Sequence, residues 1–132
     1  MSKYAQAAVD TVRRNQKKQS PDMRQEWEIT MVEYFPTQKS SRKKSCPKNA
    51  FLGLCEEGLI ADIPQGDYGV NPESLNKCYA VKAALLVFEG VIDKKMLWKT
   101  VSGDAKTHNS QIDIVLELNK AGLLKKKVSG QI

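Results

Sequence analysis

Apolar residues recur along most of the chain at the three- and four-residue spacing that is typical of amphipathic helices. Most of these runs are bounded by residues that commonly start or stop a helix, such as a polar residue followed by proline at the start and glycine at the end. The pattern predicts six helices: from Tyr4 to Asn15, from Ser20-Pro21 to Pro36, from Cys46-Pro47 to Gly58, from Asn71-Pro72 to Gly90, from Asp93 to Ser102, and from Asn109-Ser110 to Gly122.

Two short apolar segments follow glycines that end predicted helices. Leu59–Ile63 follows Gly58 and Leu123–Val128 follows Gly122, and both are predicted to be extended. We therefore expect a single, mostly α-helical domain over residues 1–132, with about six helices and one or two short strands. The segment from residue 72 to residue 90 is the most apolar and is expected to be the central helix, with a core stripe of Leu75, Tyr79, Ala83, Leu86 and Val87.

The two halves of the chain share a pattern. Residues 46–66 align without a gap on residues 110–130, with Gly58 over Gly122, and each half also has a helix that contains tryptophan. This predicts two pseudo-repeated trihelical units, residues 4–66 and 72–130, with the element order of a winged helix-turn-helix. The generic way in which a helix ends at glycine gives the same local pattern, so duplication and coincidence both remain open.

Charge is unevenly distributed. The 132 residues include 21 Lys and Arg against 15 Asp and Glu, a net charge of +6. Residues 37–49 carry five basic residues and no acid, whereas residues 50–76 carry five acids and no base. A polarised surface of this kind attracts polyanions, although lysine clusters also keep a protein soluble.

The order of elements and the charge together favour a non-enzymatic protein that binds DNA or RNA. In a winged helix-turn-helix the third helix enters the major groove and nearby cations hold phosphates. The alternative is a protein-interaction or adaptor module, or a homodimer, whose apolar helix face binds a partner. The candidate nucleic-acid contacts are Lys39, Arg42, Lys43, Lys44, Lys48, Asn49, His108, Asn109, Gln111, Lys125, Lys126 and Lys127.

Other site chemistry is sparse in the sequence. Three cysteines and one histidine lack the paired spacing of a zinc site, and no catalytic motif is present, so we expect no metal, cofactor or enzymatic activity. Cys46 at a helix start is the best reactive group, and Glu56-Glu57 is expected to be solvent-exposed. Without a signal sequence or a long apolar run, the expected location is the cytoplasm and no membrane span is expected.

Several motifs occur together across residues 4–124. They are Ser20-Pro21, Trp27, Phe35-Pro36, the run Cys46-Pro-Lys-Asn-Ala-Phe-Leu-Gly-Leu-Cys-Glu-Glu-Gly-Leu-Ile60, Leu97-Trp98-Lys99 and His108-Asn-Ser-Gln111. With these motifs the chain resembles a small family of uncharacterised bacterial proteins that carry a domain of unknown function. The resemblance implies a bacterial cytoplasmic protein and implies no functional residue.

Overall fold

The computed structural model describes residues 2–19, 21–103 and 110–125. Within these ranges it contains seven helices and no sheet. Six of the helices have nine or more residues, which confirms the mostly helical fold class, and the third is a single turn. The helices are α1 (Lys3–Asn15), α2 (Met23–Tyr34), α3 (Lys39–Arg42), α4 (Ser45–Glu56), α5 (Leu75–Phe88), α6 (Lys94–Ser102) and α7 (Ser110–Lys120).

Short polar side chains start several helices by accepting a backbone N–H bond in the first turn. Asp93 accepts such a bond at 2.9 Å, which confirms it as the cap of α6. The predicted helix start at Asn71-Pro72 is wrong, because α5 begins only after Ser74, whose side chain caps it. Asn71 instead folds a turn, in which its Oδ1 accepts the Glu73 N–H at 2.9 Å and its carbonyl accepts the Ser74 N–H at 2.9 Å.

Helices α4 and α7 end in the same way and bring the two predicted strands together. Each helix is followed by a glycine with positive φ, Gly58 at 72° and Gly122 at 75°. The residue after each glycine donates its N–H to the carbonyl five residues earlier, Leu59 to Leu54 and Leu123 to Leu118. The segments that follow meet in one isolated antiparallel bridge between Ile60 and Leu124. The prediction of strands is therefore wrong in the described ranges. Asp62 adopts a φ of 65° and turns the chain away directly after the bridge, so no ladder extends from it.

The proposed duplication places these two helix ends in equivalent positions. Two hydrogen bonds frame the bridge, from the Ala61 N–H to the Leu123 carbonyl (2.8 Å) and from the Lys125 N–H to the Leu59 carbonyl (2.7 Å). When residue 58 is aligned with residue 122, Ala61 corresponds to Lys125 and Leu59 to Leu123, so each of the two hydrogen bonds corresponds to the other. When the helices are paired by their order in the two halves, α1 with α5 and α4 with α7, the contact of α1 with α7 corresponds to the contact of α5 with α4. A common origin of the two halves stays a prediction, because none of these contacts requires one.

The central helix is α4 rather than the predicted α5. All α4 residues from Ala50 to Glu56 are buried, and the helix packs on α2, α5 and α7. Helix α5 buries Ala80, Ala83, Ala84 and Val87, whereas the predicted core residue Leu75 is 63% exposed. The buried side of α5 therefore consists mainly of small residues, which allow α5 to approach α4 closely.

Both tryptophans pack against aromatic rings. Trp27 is fully buried and stacks on Phe51 with ring centroids 4.9 Å apart. Trp98 is half-buried and meets Tyr79 edge to face at 5.3 Å. These contacts use the apolar surface of the indole rings for packing.

Candidate functional site

The basic segment between α2 and α4 contains a helical turn. Lys39–Arg42 forms α3, and α4 begins at Ser45. Tyr4 Oη donates to the carbonyl of Ser41 at 2.9 Å, which fixes α3 against the first turn of α1. The Tyr4 ring also packs on Phe35, with centroids 5.1 Å apart. The start of α1 and the basic segment therefore form one surface.

Arg42 and Lys3 approach the same phenylalanine from different parts of the chain. Arg42 Nη1 donates to the carbonyls of Phe35 and Pro36 at 3.3 Å and 3.2 Å. Lys3 Nζ lies 5.5 Å from the centroid of the Phe35 ring, within the range of a cation–π interaction. Lys3 is not among the predicted contacts, because its place beside Arg42 depends on a tertiary contact that no spacing in the sequence indicates.

These contacts define a basic face, whose members share an uncompensated positive charge. The four lysines of this face are exposed and the arginine is half-buried. In the part of the chain that the structure describes, no ion pair involves any member of the face. At the other end of α1, by contrast, Arg14 pairs with Glu33, and Lys18 pairs with Glu26. The basic face consists of Lys3, Lys39, Arg42, Lys43 and Lys44.

The start of α4 adds to the positive potential of the basic face. Lys44 is the N-cap residue of α4, and its side chain makes no capping hydrogen bond. The first turn contains no acidic residue, so no carboxylate offsets the positive end of the helix dipole. The predicted contact residues Lys48 and Asn49 lie in this part of α4, and both are half-buried.

Helix α4 does not have the exposed face that a recognition helix needs. A recognition helix lies in the major groove and presents side chains to base edges along one side. The seven consecutive residues from Ala50 to Glu56 are all buried by other parts of the protein. Only the beginning of α4 reaches the surface, which limits any nucleic-acid contact here to the basic face.

Two of the predicted contact residues of the second half, Gln111 and Lys125, are described by the structure, and both lie apart from the basic face. Gln111 is fully buried, and its Nε2 donates to Oδ1 of Asn76. Lys125 is exposed and directly follows the bridge between Ile60 and Leu124. The segment of Ile60 continues to Asp62, which accepts a 3.4 Å hydrogen bond from Gln16 at the C-terminal end of α1. The basic face lies at the other end of this helix. The two ends of α1 are about 18 Å apart at 1.5 Å per residue. We therefore leave both residues out of the basic face. The remaining predicted contacts, His108, Asn109, Lys126 and Lys127, lie outside the described residues.

An open cleft of about 680 Å³ lies at the opposite end of α4 from the basic face. Glu56, the last residue of α4, and Glu57, which follows it, meet a lysine of α5 there: Lys77 Nζ lies 2.9 Å from Glu56 Oε1 and 3.1 Å from Glu57 Oε2. Glu57 is half-buried, but Glu56 is only 8% exposed. The prediction that these glutamates are solvent-exposed is therefore wrong for Glu56.

Glu56 holds the loop that forms one wall of this cleft. Its Oε2 accepts the N–H groups of Tyr68 (2.8 Å) and Val70 (3.1 Å), while Arg24 donates to the carbonyls of Tyr68 and Gly69. Burial by itself raises the pKa of the Glu56 carboxyl, but the lysine and the two N–H groups outweigh it and lower the pKa below its ordinary value. The carboxylate is thus an anchor for the loop, and it stays ionised at neutral pH.

Acid is expected to weaken the fold through Glu56, because its pKa is lower in the folded protein than in the unfolded chain. The resulting stabilisation is fully present at pH values above the pKa of the glutamate in the unfolded chain, 4.5. It is lost as the pH falls through the lower pKa of Glu56 in the folded protein. We expect the difference in the free energy of unfolding between the wild type and Glu56→Gln to shrink as the pH falls from about 7 to about 3. Urea unfolding at a series of pH values measures it. A difference that does not change over this range would contradict the linkage.

Other site chemistry is limited in the described ranges. No group of three or more His, Cys, Asp or Glu residues is placed there to hold a metal ion. All three cysteines are free; Cys55 is fully buried, and burial raises the pKa of its thiol. Cys46 is half-buried near the start of α4. No described helix combines the length and the apolar character needed to cross a membrane.

The model of a family of unknown function, DUF6979, matches residues 1–125. No curated protein and no solved structure matches the chain. The basic face and the cleft therefore have to be interpreted from their own geometry.

Proposed function

The chain belongs to the family of unknown function DUF6979, and we propose that it is a non-enzymatic protein that binds nucleic acid through the basic face. One observation supports this most: Lys3 lies against the distant segment that carries Lys39, Arg42, Lys43 and Lys44, and among the described residues none of these five cations forms an ion pair. Nucleic acids present a dense row of phosphates, and cations that neutralise them release bound counterions, which favours association at low salt.

The composition of the basic face favours contact with the phosphate backbone over recognition of bases. Four of its five cations are lysines, which act as point charges, whereas base recognition commonly uses the fork of arginine or an amide side chain. The guanidinium of Arg42 already donates to two backbone carbonyls, and the amide of Gln111 is buried. We therefore propose binding to DNA or RNA with little sequence preference.

The proposed setting is the bacterial cytoplasm. Nucleic acid is abundant there, and the reducing conditions keep thiols free. The three free cysteines of the chain suit this setting.

The salt dependence of duplex DNA binding tests the proposal. If the basic face neutralises about five phosphates, the slope of log affinity against log salt between about 50 and 200 mM should be about −4 to −5. The double variant Lys43→Glu/Lys44→Glu should bind at least about tenfold more weakly at low salt and show a slope less steep by about 2. Fluorescence anisotropy with a labelled duplex measures both quantities.

A matched control separates the basic face from net charge. Lys95 and Lys99 are exposed on α6, which packs on α5 and α7 and not on α3. The double variant Lys95→Glu/Lys99→Glu changes the net charge by the same amount and should retain most of the affinity. Equal losses in the two double variants, or no binding by the wild type at the lowest salt, would contradict the proposal.

A further inference from the structure

Helix α5 leaves an apolar side exposed opposite the side that packs on α4. Leu75 and Leu85 are both exposed, Leu85 by 47%. The adjoining α6 leaves Met96 exposed by 57%, and Ile92 is exposed in the connection between the two helices. Exposed apolar side chains mark a docking surface when they border apolar depressions, and scattered single ones do not. We call this side of α5 and α6 the α5 surface.

Two apolar depressions open on the α5 surface. One has a volume of about 230 Å³, is lined by Cys78 and Val81 of α5, and reaches Lys77 and Glu57 beside the end of α4. The other has a volume of about 270 Å³ and lies between Leu85 of α5 and Val101 of α6. Lys82 lines both depressions. Lys82 therefore lies between two apolar sites on the same helix, and it forms no ion pair among the described residues, whereas Lys77 and Glu57 of the first depression pair with each other.

We propose that the α5 surface binds an acidic amphipathic helix of a partner protein. Along α5, the distance from the first depression to the second corresponds to about six residues, or roughly 9 Å at 1.5 Å per residue. A partner helix that presents large apolar side chains two turns apart, at i and i+7, matches this distance. A carboxylate one turn from each of them, at i+3 or i+4, then lies opposite Lys82.

The charges around the α5 surface favour an acidic partner over a second copy of this chain. Lys82 lies midway along the surface, so a two-fold dimer formed along α5 would bring the two Lys82 ammonium groups together near its axis. Like charges in that position oppose association. Lys99 adds positive charge on α6. The carboxylate of Glu57 does not offset Lys82, because it is already paired with Lys77. Glu89 lies beyond the second depression, at the end of α5.

A designed peptide tests the proposal without an identified partner. The peptide has about 18 residues, with leucine at i and i+7, glutamate between them, and alanine and glutamine elsewhere to favour a helix. We expect the full chain to bind it at least about tenfold more tightly than a scrambled peptide of the same composition. The Lys82→Glu variant should bind the designed peptide about tenfold more weakly than the wild type does. The same variant should bind a peptide with lysine in place of glutamate more tightly than it binds the designed peptide. Fluorescence anisotropy measures all four affinities.

Two further variants separate the α5 surface from net charge and from loss of folding. Lys43→Glu on the basic face makes the same change in charge as Lys82→Glu and should leave peptide binding unchanged. Leu85→Ser alters an exposed position and should weaken binding with little change in thermal stability. Equal binding of designed and scrambled peptides, or unchanged affinity in Lys82→Glu, would overturn the proposal. So would dimerisation in sedimentation experiments that Leu85→Ser abolishes, because a second copy would then occupy the α5 surface.

Discussion

Replacing Glu56 with alanine is expected to lower the free energy of unfolding by about 3 kcal/mol at neutral pH. The carboxylate accepts hydrogen bonds from Lys77 Nζ and from the N–H groups of Tyr68 and Val70. Without it, both N–H groups lose their acceptor, and an unsatisfied buried donor costs about 1–3 kcal/mol. The expected loss is at the lower end of the range for a broken buried ion pair, because Glu57 remains as a partner for Lys77. Urea unfolding followed by circular dichroism measures it.

Glu57→Ala is the matched control for this prediction. Glu57 contacts the same lysine from the next position of the chain, but its side chain is 39% exposed, so we expect a loss below about 1 kcal/mol. Glu56→Ala should also speed hydrogen exchange at the N–H groups of Tyr68 and Val70, because these groups lose their acceptor. If the two alanine variants were equally destabilised, the buried carboxylate would not be the main anchor of the loop.

Gly53→Ala is expected to destabilise the protein by about 2 kcal/mol, although alanine normally favours a helix interior by about 1 kcal/mol over glycine. A Cβ atom at residue 53 would lie 2.8 Å from Cβ and 3.1 Å from Cα of Lys77. These atoms do not belong to the flexible end of the side chain, so α5 itself has to move away from α4. The movement also draws Lys77 from Glu56. We expect a melting temperature roughly 6–10 °C lower.

Gly66→Ala provides the control for the close approach of the two helices. Nothing lies within 4 Å of a Cβ atom built at residue 66, and its φ is not in the left-handed region. We therefore expect a change within about 0.5 kcal/mol. A Gly53→Ala variant as stable as the wild type would show that α4 and α5 can separate without loss.

The positions of the helices were largely predictable because most of their signals are local. The side chain of Asp93 and the glycines Gly58 and Gly122 act on residues within one turn of themselves, and all three mark helix ends in the structure. The start of α5 was missed because two local signals compete there. Asn71 accepts a nearby N–H bond and folds a turn, and the helix begins only after Ser74.

The candidate sites were predictable only in part. Lys39, Arg42, Lys43 and Lys44 are close together in sequence, so their shared charge was visible without a structure. The contribution of Lys3 was not visible, because it depends on contacts between α1 and α3. Glu56 was misjudged for the same reason. Two adjacent glutamates in a sequence suggest solvent exposure. In the folded protein a later loop covers Glu56 and donates two hydrogen bonds to it, which the sequence pattern does not indicate.

The sequence by itself determined the helical class of this protein, most helix ends and the uneven distribution of its charge, since these properties depend on neighbouring residues. Tertiary structure alone decided that α4 is the central helix, that Lys3 joins the basic face, that Lys125 lies at the other end of α1, and that Glu56 is buried. The reason is physical. An amphipathic pattern shows that one side of a helix must be covered, but which element covers it depends on how side chains from distant segments fit together.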